Sequence, residues 1–550
     1  MAMPQIRVAL AQTNPVVGDL NGNLDSCFEF VSRAATQGAQ LVLFGEMVVT
    51  GYPIEDLAHR ESFVRKAQDA TYAFAERLEK AGLGEIAVVL GHPALAGQSN
   101  GWAIAHNCAS VLRHGTVVGS YAKHHLPNYG VFDEHRNFVA GNQLLTFEHV
   151  GFKFSTVICE DIWQSGGPVA QLGDAGTDIA LVLNGSPFEV DKDDRRLGLV
   201  KTIAENHGCA VAYCNLVGGQ DDLVFDGDSI VVDAAGSVIA RGRQFAEDLV
   251  LIDFDSNGGA TLAAQASVSK ADDLWQIWNA LTLGLRDYVQ KNGFKSVILG
   301  LSGGIDSAVC AAIAKDALGS DRVFGVSMPS KFSSEHSRTD ADETAARLGI
   351  NLRTESIESY VADFEAKLEL SGLSAENLQA RMRGVILMAL SNKEGHLVLT
   401  TGNKTELAVG YSTIYGDSVG GFAPIKDVEK TLVWELAKWR NTFASQNGEV
   451  EPIPTNSIVK PPSAELRPDQ VDQDTLPPYD ELDSILDAYI ERRLGRDEII
   501  ALGFDSAVVD RVIGLVSIAE WKRRQGAIGP KITPMAYGRD RRMPITNRFR

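Results

Sequence analysis

Short apolar runs alternate with stretches of helical spacing from residue 5 to residue 255. Ile6–Ala11, Leu41–Phe44, Ile86–Leu90, Phe154–Ile158, Ile179–Leu183, Ala210–Tyr213, Ser229–Val232 and Leu249–Ile252 are short and largely apolar, which predicts strands. Glu61–Ala81 spaces its apolar residues as a helix does, and Asp233-Ala234-Ala235-Gly236-Ser237 predicts a hairpin between two strands. The rhythm stops at Ser256-Asn257-Gly258-Gly259, so residues 256–270 read as a linker between a domain at 1–255 and another at 271–550. A helix then starts near Ala271, with Leu274, Ile277, Trp278, Leu281 and Leu285 on its apolar side. Strands are predicted at Ser296–Leu299, in a run ending in Val326-Ser327-Met328-Pro329-Ser330, and at Leu397–Leu399, with a helix over Ala308–Leu318. A further helix around Asn377–Arg383 carries Leu378, Met382, Ile386 and Ala389 along one face and Arg381 on another. This βα alternation predicts a doubly wound parallel sheet with its ligand at the carboxyl ends of the strands. Pro452–Pro478 is proline-rich without periodicity and reads as an extended excursion over the surface.

Composition narrows the field. A chain of 550 residues exceeds one hydrophobic core. A net charge of −20 argues against a nucleic-acid or anionic-membrane surface, so the expected partners are small molecules. No run of eighteen apolar residues and no leader pattern in Met1–Leu10 is visible, and the six scattered cysteines form no disulfide or zinc pattern. The expected compartment is the reducing cytosol.

Chemistry concentrates first at Gly300-Leu301-Ser302-Gly303-Gly304-Ile305-Asp306-Ser307, between a predicted strand and a predicted helix. Free backbone N–H groups and the helix dipole converge on an anion in that geometry, and glycines let the main chain approach phosphate closely. With no lysine following, the G-x-x-x-x-G-K-[ST] pattern is not met. The segment resembles instead the pyrophosphatase loop of enzymes that split ATP into AMP and pyrophosphate.

In the first half, Cys159 closes an apolar strand, Glu46 follows Leu41–Phe44 and Gly45, and Lys123 lies in Tyr121-Ala122-Lys123-His124-His125-Leu126-Pro127. Lys123 precedes Asn128-Tyr129-Gly130-Val131-Phe132-Asp133-Glu134. The order Glu, Lys, Cys resembles the nitrilase (carbon–nitrogen hydrolase) superfamily, whose fold is an αββα sandwich, although this chain has Gly45 where that superfamily usually has proline. The resemblance implies a Cys159 nucleophile, a Glu46 general base, a Lys123 oxyanion donor and an orienting Glu134. Tyr129, Ser186 and Lys192 match glutamine-binding positions of its glutaminase branch.

In the second half, the run SGGIDS, E-N-L-Q-A-R, T-G-N-K-T-E, Y-G-D, F-A-P-I-K-D-V-x-K-T and K-P-P-S-A-E-L-R-P resembles NAD synthetases over about residues 270–535. The fold implied is the adenine nucleotide alpha hydrolase-like doubly wound α/β type. Ser302–Ser307 and Thr401 would then bind ATP, while Asn377, Glu406 and Lys522 would bind deamido-NAD. Asp306 and Glu406 are the expected magnesium ligands, Lys404 the cation facing the leaving pyrophosphate, and Arg381 a further candidate for deamido-NAD. Both halves together resemble the glutamine-dependent NAD synthetase family, which implies ATP-driven amidation of deamido-NAD with glutamine nitrogen. Asparagine synthetase exposes a cysteine at position two, where this chain has Ala2, and GMP synthetase needs a histidine partner that no segment after Cys159 supplies. A thiolating enzyme would need paired reactive cysteines and a basic surface, and an inactive sensor would lack a nucleophile or a metal ligand. Ammonia made on one core and used on another implies an enclosed passage, completed by a neighbouring subunit of a homo-oligomer, and a glutaminase that waits for the synthetase to be occupied.

Overall fold

Along Gln5–Gln12 (β1), Ile6, Val8 and Leu10 belong to one buried cluster and Ala9 and Ala11 to another. A strand buried on both faces needs a layer on each side. The computed structural model describes residues 5–99, 102–256, 258–263, 271–468 and 470–545 and divides into two units, Met1–Gln220 with Val224–Ala271 and Asp221–Leu223 with Asp272–Arg550.

In the first unit β1 is followed by α1 (Leu20–Thr36), β2 (Leu41–Phe44), α2 (Glu61–Lys80), β3 (Ala87–Ser99), β4 (Trp102–Arg113), β5 (Thr116–Ala122) and α3 (Glu134–Asn137). Then come β6 (Leu145–His149), β7 (Phe152–Ile158), β8 (Ile179–Asn184), α4 (Lys192–His207), β9 (Ala210–Asn215), β10 (Val217–Gln220) and β11 (Leu223–Asp226). The unit closes with β12 (Ile230–Val232), β13 (Val238–Arg241), β14 (Asp248–Asp255) and β15 (Ala260–Leu262). Seven strands pair in the order β15-β14-β1-β2-β3-β4-β5 and six in the order β13-β12-β9-β8-β7-β6. Val8, Leu10, Leu43 and Val89 of one sheet share a core with Phe154, Val157, Leu181 and Val211 of the other. Ala9, Val42, Phe44 and Leu90 instead cover Phe30 and Val31 of α1 and Phe74 and Leu78 of α2. With α4 packed on β9 and β12, the layers are helix, sheet, sheet, helix. β1–β2–β3 and β7–β8–β9 are parallel, so their carboxyl ends gather at one edge of each sheet.

Two expectations change here. β4 and β5 are not legible as apolar alternation, because Asn107 and Ser110 of β4 are buried polar residues. Part of the predicted linker, residues 257 and 264–270, lies outside the described residues, but Ala260–Leu262 is strand, antiparallel to β14.

The second unit begins with α5 (Asp273–Lys291), β16 (Val297–Gly300), α6 (Ile305–Leu318), β17 (Val323–Ser327), α7 (Glu335–Leu348), β18 (Asn351–Thr354), α8 (Glu358–Leu368), α9 (Leu373–Glu394), β19 (Leu397–Leu399) and α10 (Lys404–Val409). It continues through α11 (Lys430–Gln446), α12 (Thr455–Val459), α13 (Tyr479–Leu486), a π-helical turn (Asp487–Glu491), α14 (Arg496–Ala501), α15 (Ser506–Ile518) and α16 (Glu520–Arg523). Its four strands are parallel in the order β18-β17-β16-β19. The chain runs outward from β16 to β18 and then returns to the opposite side of β16, so β16 and β19 flank a topological switch point, where a ligand crevice opens. Leu378, Met382 and Ile386 of α9 pack toward Ile298, Val326 and Val398, whereas Ala389 is exposed and Leu387 and Leu390 take its place. The excursion expected over 452–478 also differs. Ile453 and Ser457 are buried, α12 forms within it, and Ser457 Oγ donates to the Gly303 carbonyl at 3.1 Å.

Arg196 of α4 is fully buried and donates at 2.8 Å to both carboxylate oxygens of Asp226, at 3.2 Å to the Ser186 carbonyl and at 3.0 Å to that of Pro187. Removing one partner of such a pair strands the other charge without water. Arg196→Met should therefore cost about 3–5 kcal/mol in urea unfolding. The double variant Arg196→Met/Asp226→Leu should be more stable than the single one.

Candidate active sites

Three of the four side chains of the first site are delivered by the carboxyl ends of strands, and the fourth by the start of a helix. Glu46 lies two residues beyond β2, its N–H donating to the Asn184 carbonyl at 3.2 Å. A Cβ on Gly45 would fall 2.6 Å from Leu216 Cδ2 and 3.0 Å from the Asn184 carbonyl oxygen, so the close approach of β2 to β8 favours glycine there. Lys123 follows β5 and is pinned by its N–H to the Asn107 carbonyl at 2.9 Å. Cys159 follows β7 with φ +42°, at the head of a single 3₁₀ turn. Glu134 opens α3.

The structure brings these residues together. Lys123 Nζ lies 2.8 Å from Glu46 Oε1 and 2.8 Å from Glu134 Oε2, and all three side chains are no more than 3% exposed. Glu46 Oε1 also accepts from Asn107 Nδ2 at 2.7 Å, and Oε2 accepts from the Gly185 N–H at 2.9 Å. Tyr52 donates to Glu134 Oε1 at 2.8 Å. Burial alone would pull the Lys123 ammonium down, but Glu134 and Glu46 hold it well above its ordinary value, so it stays charged. Burial pushes the Glu134 carboxyl up against the pull of Lys123. The Cys159 thiol is held well above its usual range by burial and then by Glu46, with Lys123 opposing. Such a thiol needs a base to act as a nucleophile at neutral pH.

Asn107, Tyr52, Gly185 and Asp161 escaped the sequence reading. Asp161 is buried and accepts from the N–H groups of Ile158 (2.9 Å), His124 (3.1 Å) and His125 (2.8 Å) and from Tyr121 OH (2.7 Å). It thereby ties the cysteine turn to the lysine segment. Its position two residues after Cys159 was the only signal.

The glutamine candidates surround this cluster unevenly. Tyr129 is exposed and donates to Glu160 Oε2 at 2.9 Å. Ser186, beside Gly185, is buried and donates its N–H to Asn215 Oδ1 at 2.9 Å. Lys192, in an acidic run where an exposed charge is the ordinary expectation, is instead buried at the start of α4, with Nζ 3.5 Å from Glu189 Oε1.

The second site occupies the switch point. From β16 the chain passes through buried Leu301 into Ser302-Gly303-Gly304 and enters α6 at Ile305. Gly303 has φ +76°, and a Cβ there would lie 2.3 Å from the Ser337 carbonyl oxygen. The Ser302 and Ser307 hydroxyls lie 3.1 Å apart, and Gly304 N–H donates to Ser302 Oγ at 3.2 Å. Across the crevice, beyond β19, lie Thr401 and the capping box of α10, in which Glu406 N–H donates to Asn403 Oδ1 at 2.9 Å. Asn403 Nδ2 donates to Asp306 Oδ1 at 2.9 Å.

A second lysine, outside the expected set, also lies at this site. Lys404 is buried against Asp427 (2.8 Å) and Glu491 (2.5 Å). Lys430, in the F-A-P-I-K-D-V-x-K-T motif, donates to Asp306 Oδ2 and lies 3.7 Å from Glu406 Oε1. Burial and the Asp306 charge push the Glu406 carboxyl up, with Lys430 opposing. Among the described residues no group of three or more histidine, cysteine or carboxylate side chains is arranged to hold a metal. A pair of carboxylates beside a phosphate loop nevertheless suits magnesium, which keeps waters and takes its remaining ligands from phosphate.

The deamido-NAD candidates gather on the segment after α10. Asn377 Oδ1 accepts from Thr413 Oγ1 at 2.8 Å, Arg381 Nε donates to the Ile414 carbonyl at 3.3 Å, and Lys522 Nζ donates to the carbonyls of Gly410 (2.8 Å) and Ser412 (2.7 Å). Asp417, on the same segment, accepts from the Thr413 N–H at 2.6 Å.

Comparison with known proteins gives the same division. A carbon–nitrogen hydrolase family model matches residues 7–263 and an NAD synthase model matches residues 277–526. The chain is 46% identical to the glutamine-dependent NAD(+) synthetase of Acinetobacter baylyi, over 100% of this chain and 99% of that one. It is 42% identical to the Thermotoga maritima enzyme of the same name, over all of both chains. A solved glutamine-dependent NAD+ synthetase from Acinetobacter baumannii, in complex with ADP, superposes with a TM-score of 0.78 at 44% identity, covering 99% of each chain.

The electrostatics of the first site give a test. Glu46→Gln removes a negative neighbour from Cys159, so the thiol should ionise at lower pH than in the wild type, whereas Lys123→Met should move it higher. Iodoacetamide labelling against pH, read by mass spectrometry on the Cys159 peptide, checks both directions.

Proposed function

This chain belongs to the glutamine-dependent NAD(+) synthetases, and from that premise we infer how its residues divide the work. It is a carbon–nitrogen ligase that amidates deamido-NAD with ammonia from glutamine, consuming ATP and giving NAD, AMP, pyrophosphate and glutamate. The observation that carries the division is the presence of two separately built clusters: the buried Glu46–Lys123–Glu134 beside Cys159, and the partly buried Asp306–Glu406–Lys430 beside the 300–307 loop.

In the first unit, Glu46 takes the Cys159 proton as the sulfur attacks the glutamine amide, and passes it to departing ammonia. The Lys123 ammonium donates to the oxyanion of the tetrahedral intermediate. Glu134, steadied by Tyr52, keeps Lys123 aimed. Water activated at Glu46 then releases glutamate from the thioester. Tyr129, Ser186 and Lys192 hold the amino-acid end of glutamine.

In the second unit, Gly300–Ser307 and Thr401 bind ATP, while Asn377, Arg381, Glu406 and Lys522 bind deamido-NAD. The nicotinate carboxylate attacks the α-phosphorus and displaces pyrophosphate, and ammonia then displaces AMP from the adenylate. Asp306 and Glu406 would hold magnesium, which supplies charge neutralisation on the phosphates. Lys430, rather than Lys404, is the cation placed to meet the charge that builds on pyrophosphate. All six cysteines are unbridged, as in proteins that work in the reducing cytosol. The enzyme acts as a homo-oligomer, with ammonia passed on without mixing into the solvent.

Cys159→Ala should abolish glutamine-driven NAD formation and leave synthesis from high ammonium largely intact. Retention of glutamine-driven synthesis would overturn the assignment of the nucleophile. The coupling has its own measurement, in which wild-type enzyme makes NAD from glutamine in buffer containing ¹⁵N-ammonium. The product should carry little label, and glutamine hydrolysis should accelerate when deamido-NAD and ATP are added. Full isotopic mixing, or equal hydrolysis rates, would remove the coupling.

A further inference from the structure

Lys404 has three ammonium protons, and three acceptors surround it: Asp427 Oδ1 at 2.8 Å, Glu491 Oε1 at 2.5 Å and Thr533 Oγ1 at 2.6 Å. No proton is left for a phosphate. Its neighbours come from distant parts of the chain. Asp427 precedes α11, Glu491 ends the π-helical turn, and Thr533 lies in the C-terminal stretch. Asp427 also accepts the N–H groups of Ile532 (2.8 Å) and Thr533 (2.7 Å), which fastens that stretch to the same point. Lys531, Ile532, Met535 and Tyr537 are buried along it.

The element held is α10, six residues long, whose first turn carries Glu406. So short a helix has little stability of its own, and its direction must come from what grips its first turn. We propose that Lys404 is a positioning residue for Glu406, and that Asp427, Glu491 and the stretch Lys531–Tyr537 form the support of the synthetase carboxylate pair. This rests on the reading of Glu406 as a metal-side carboxylate. Supports of this kind typically change metal affinity or activity by about 10–100-fold when altered.

The test uses the full-length protein as Glu491→Gln and Asp427→Asn, with Glu406→Gln as the reference. Mn²⁺ binding in the presence of ATP is read by electron paramagnetic resonance, and ammonia-driven synthesis is titrated with Mg²⁺. Both support variants should bind Mn²⁺ about tenfold more weakly and need correspondingly more Mg²⁺ for half-maximal rate. Their KM for ATP at saturating Mg²⁺ should stay unchanged. A merely structural role would lower kcat with the folded fraction and leave metal affinity alone, which would overturn the proposal. A raised KM for ATP with unchanged Mn²⁺ affinity would overturn it in favour of a phosphate-binding Lys404. If Glu406→Gln itself leaves Mn²⁺ binding unchanged, the metal reading of Glu406 fails and takes this proposal with it.

Discussion

Lys123 is taken out of water by the same folding that brings Glu46 and Glu134 to 2.8 Å from its ammonium. A buried cation is tolerable only when its partners are close and well aimed, because the lost hydration is large and the Coulomb gain falls with distance. That requirement fixes the ends of β2 and β5 and the start of α3 at once. Asn107 and the Gly185 N–H then occupy remaining acceptor positions on Glu46, drawing β4 and the end of β8 into the same arrangement.

The arrangement recurs. Lys430 bridges Asp306 and Glu406, and Lys404 bridges Asp427 and Glu491. The three lysines are at most 3% exposed in their side chains, yet they serve different ends. In our reading Lys123 and Lys430 face reacting atoms, and Lys404 faces only its anchors. Number of acceptors separates the cases: a lysine whose three protons are all taken by protein has none to offer a ligand.

Placement of both sites follows from parallel strands. β2, β7 and β8 lead to Glu46, Cys159 and Gly185, while β16 and β19 lead to the phosphate loop and to Glu406. In the second unit the strand order reverses between β16 and β19, which opens the crevice without any side chain having to make it. Around these ends, buried polar groups restrain the turns, Asp161 between the cysteine and lysine segments and Arg196 at Ser186-Pro187.

The sequence by itself determined the α/β character of both halves, the strands that lead to Glu46, Cys159, the 300–307 loop and Glu406, and the chemistry that those residue types allow. Apolar runs such as Leu41–Phe44 and Val297–Leu299 carry their strand signal locally, and residue type sets the kind of chemistry open to Cys159, Glu46 and Asp306. It could not show β4, because Asn107 and Ser110 are polar and buried for reasons set by other strands. Nor could it show that Ser457 lies against Gly303, since an aperiodic stretch carries no face to read. Which lysine meets the carboxylate pair was also beyond it, because Lys404 and Lys430 are alike in chemistry and differ only in direction. Direction is a property of packing: α10 turns Lys404 toward Asp427, Glu491 and Thr533, residues from 23 to 129 positions further on. Long-range contact, not local pattern, selects between chemically equal groups.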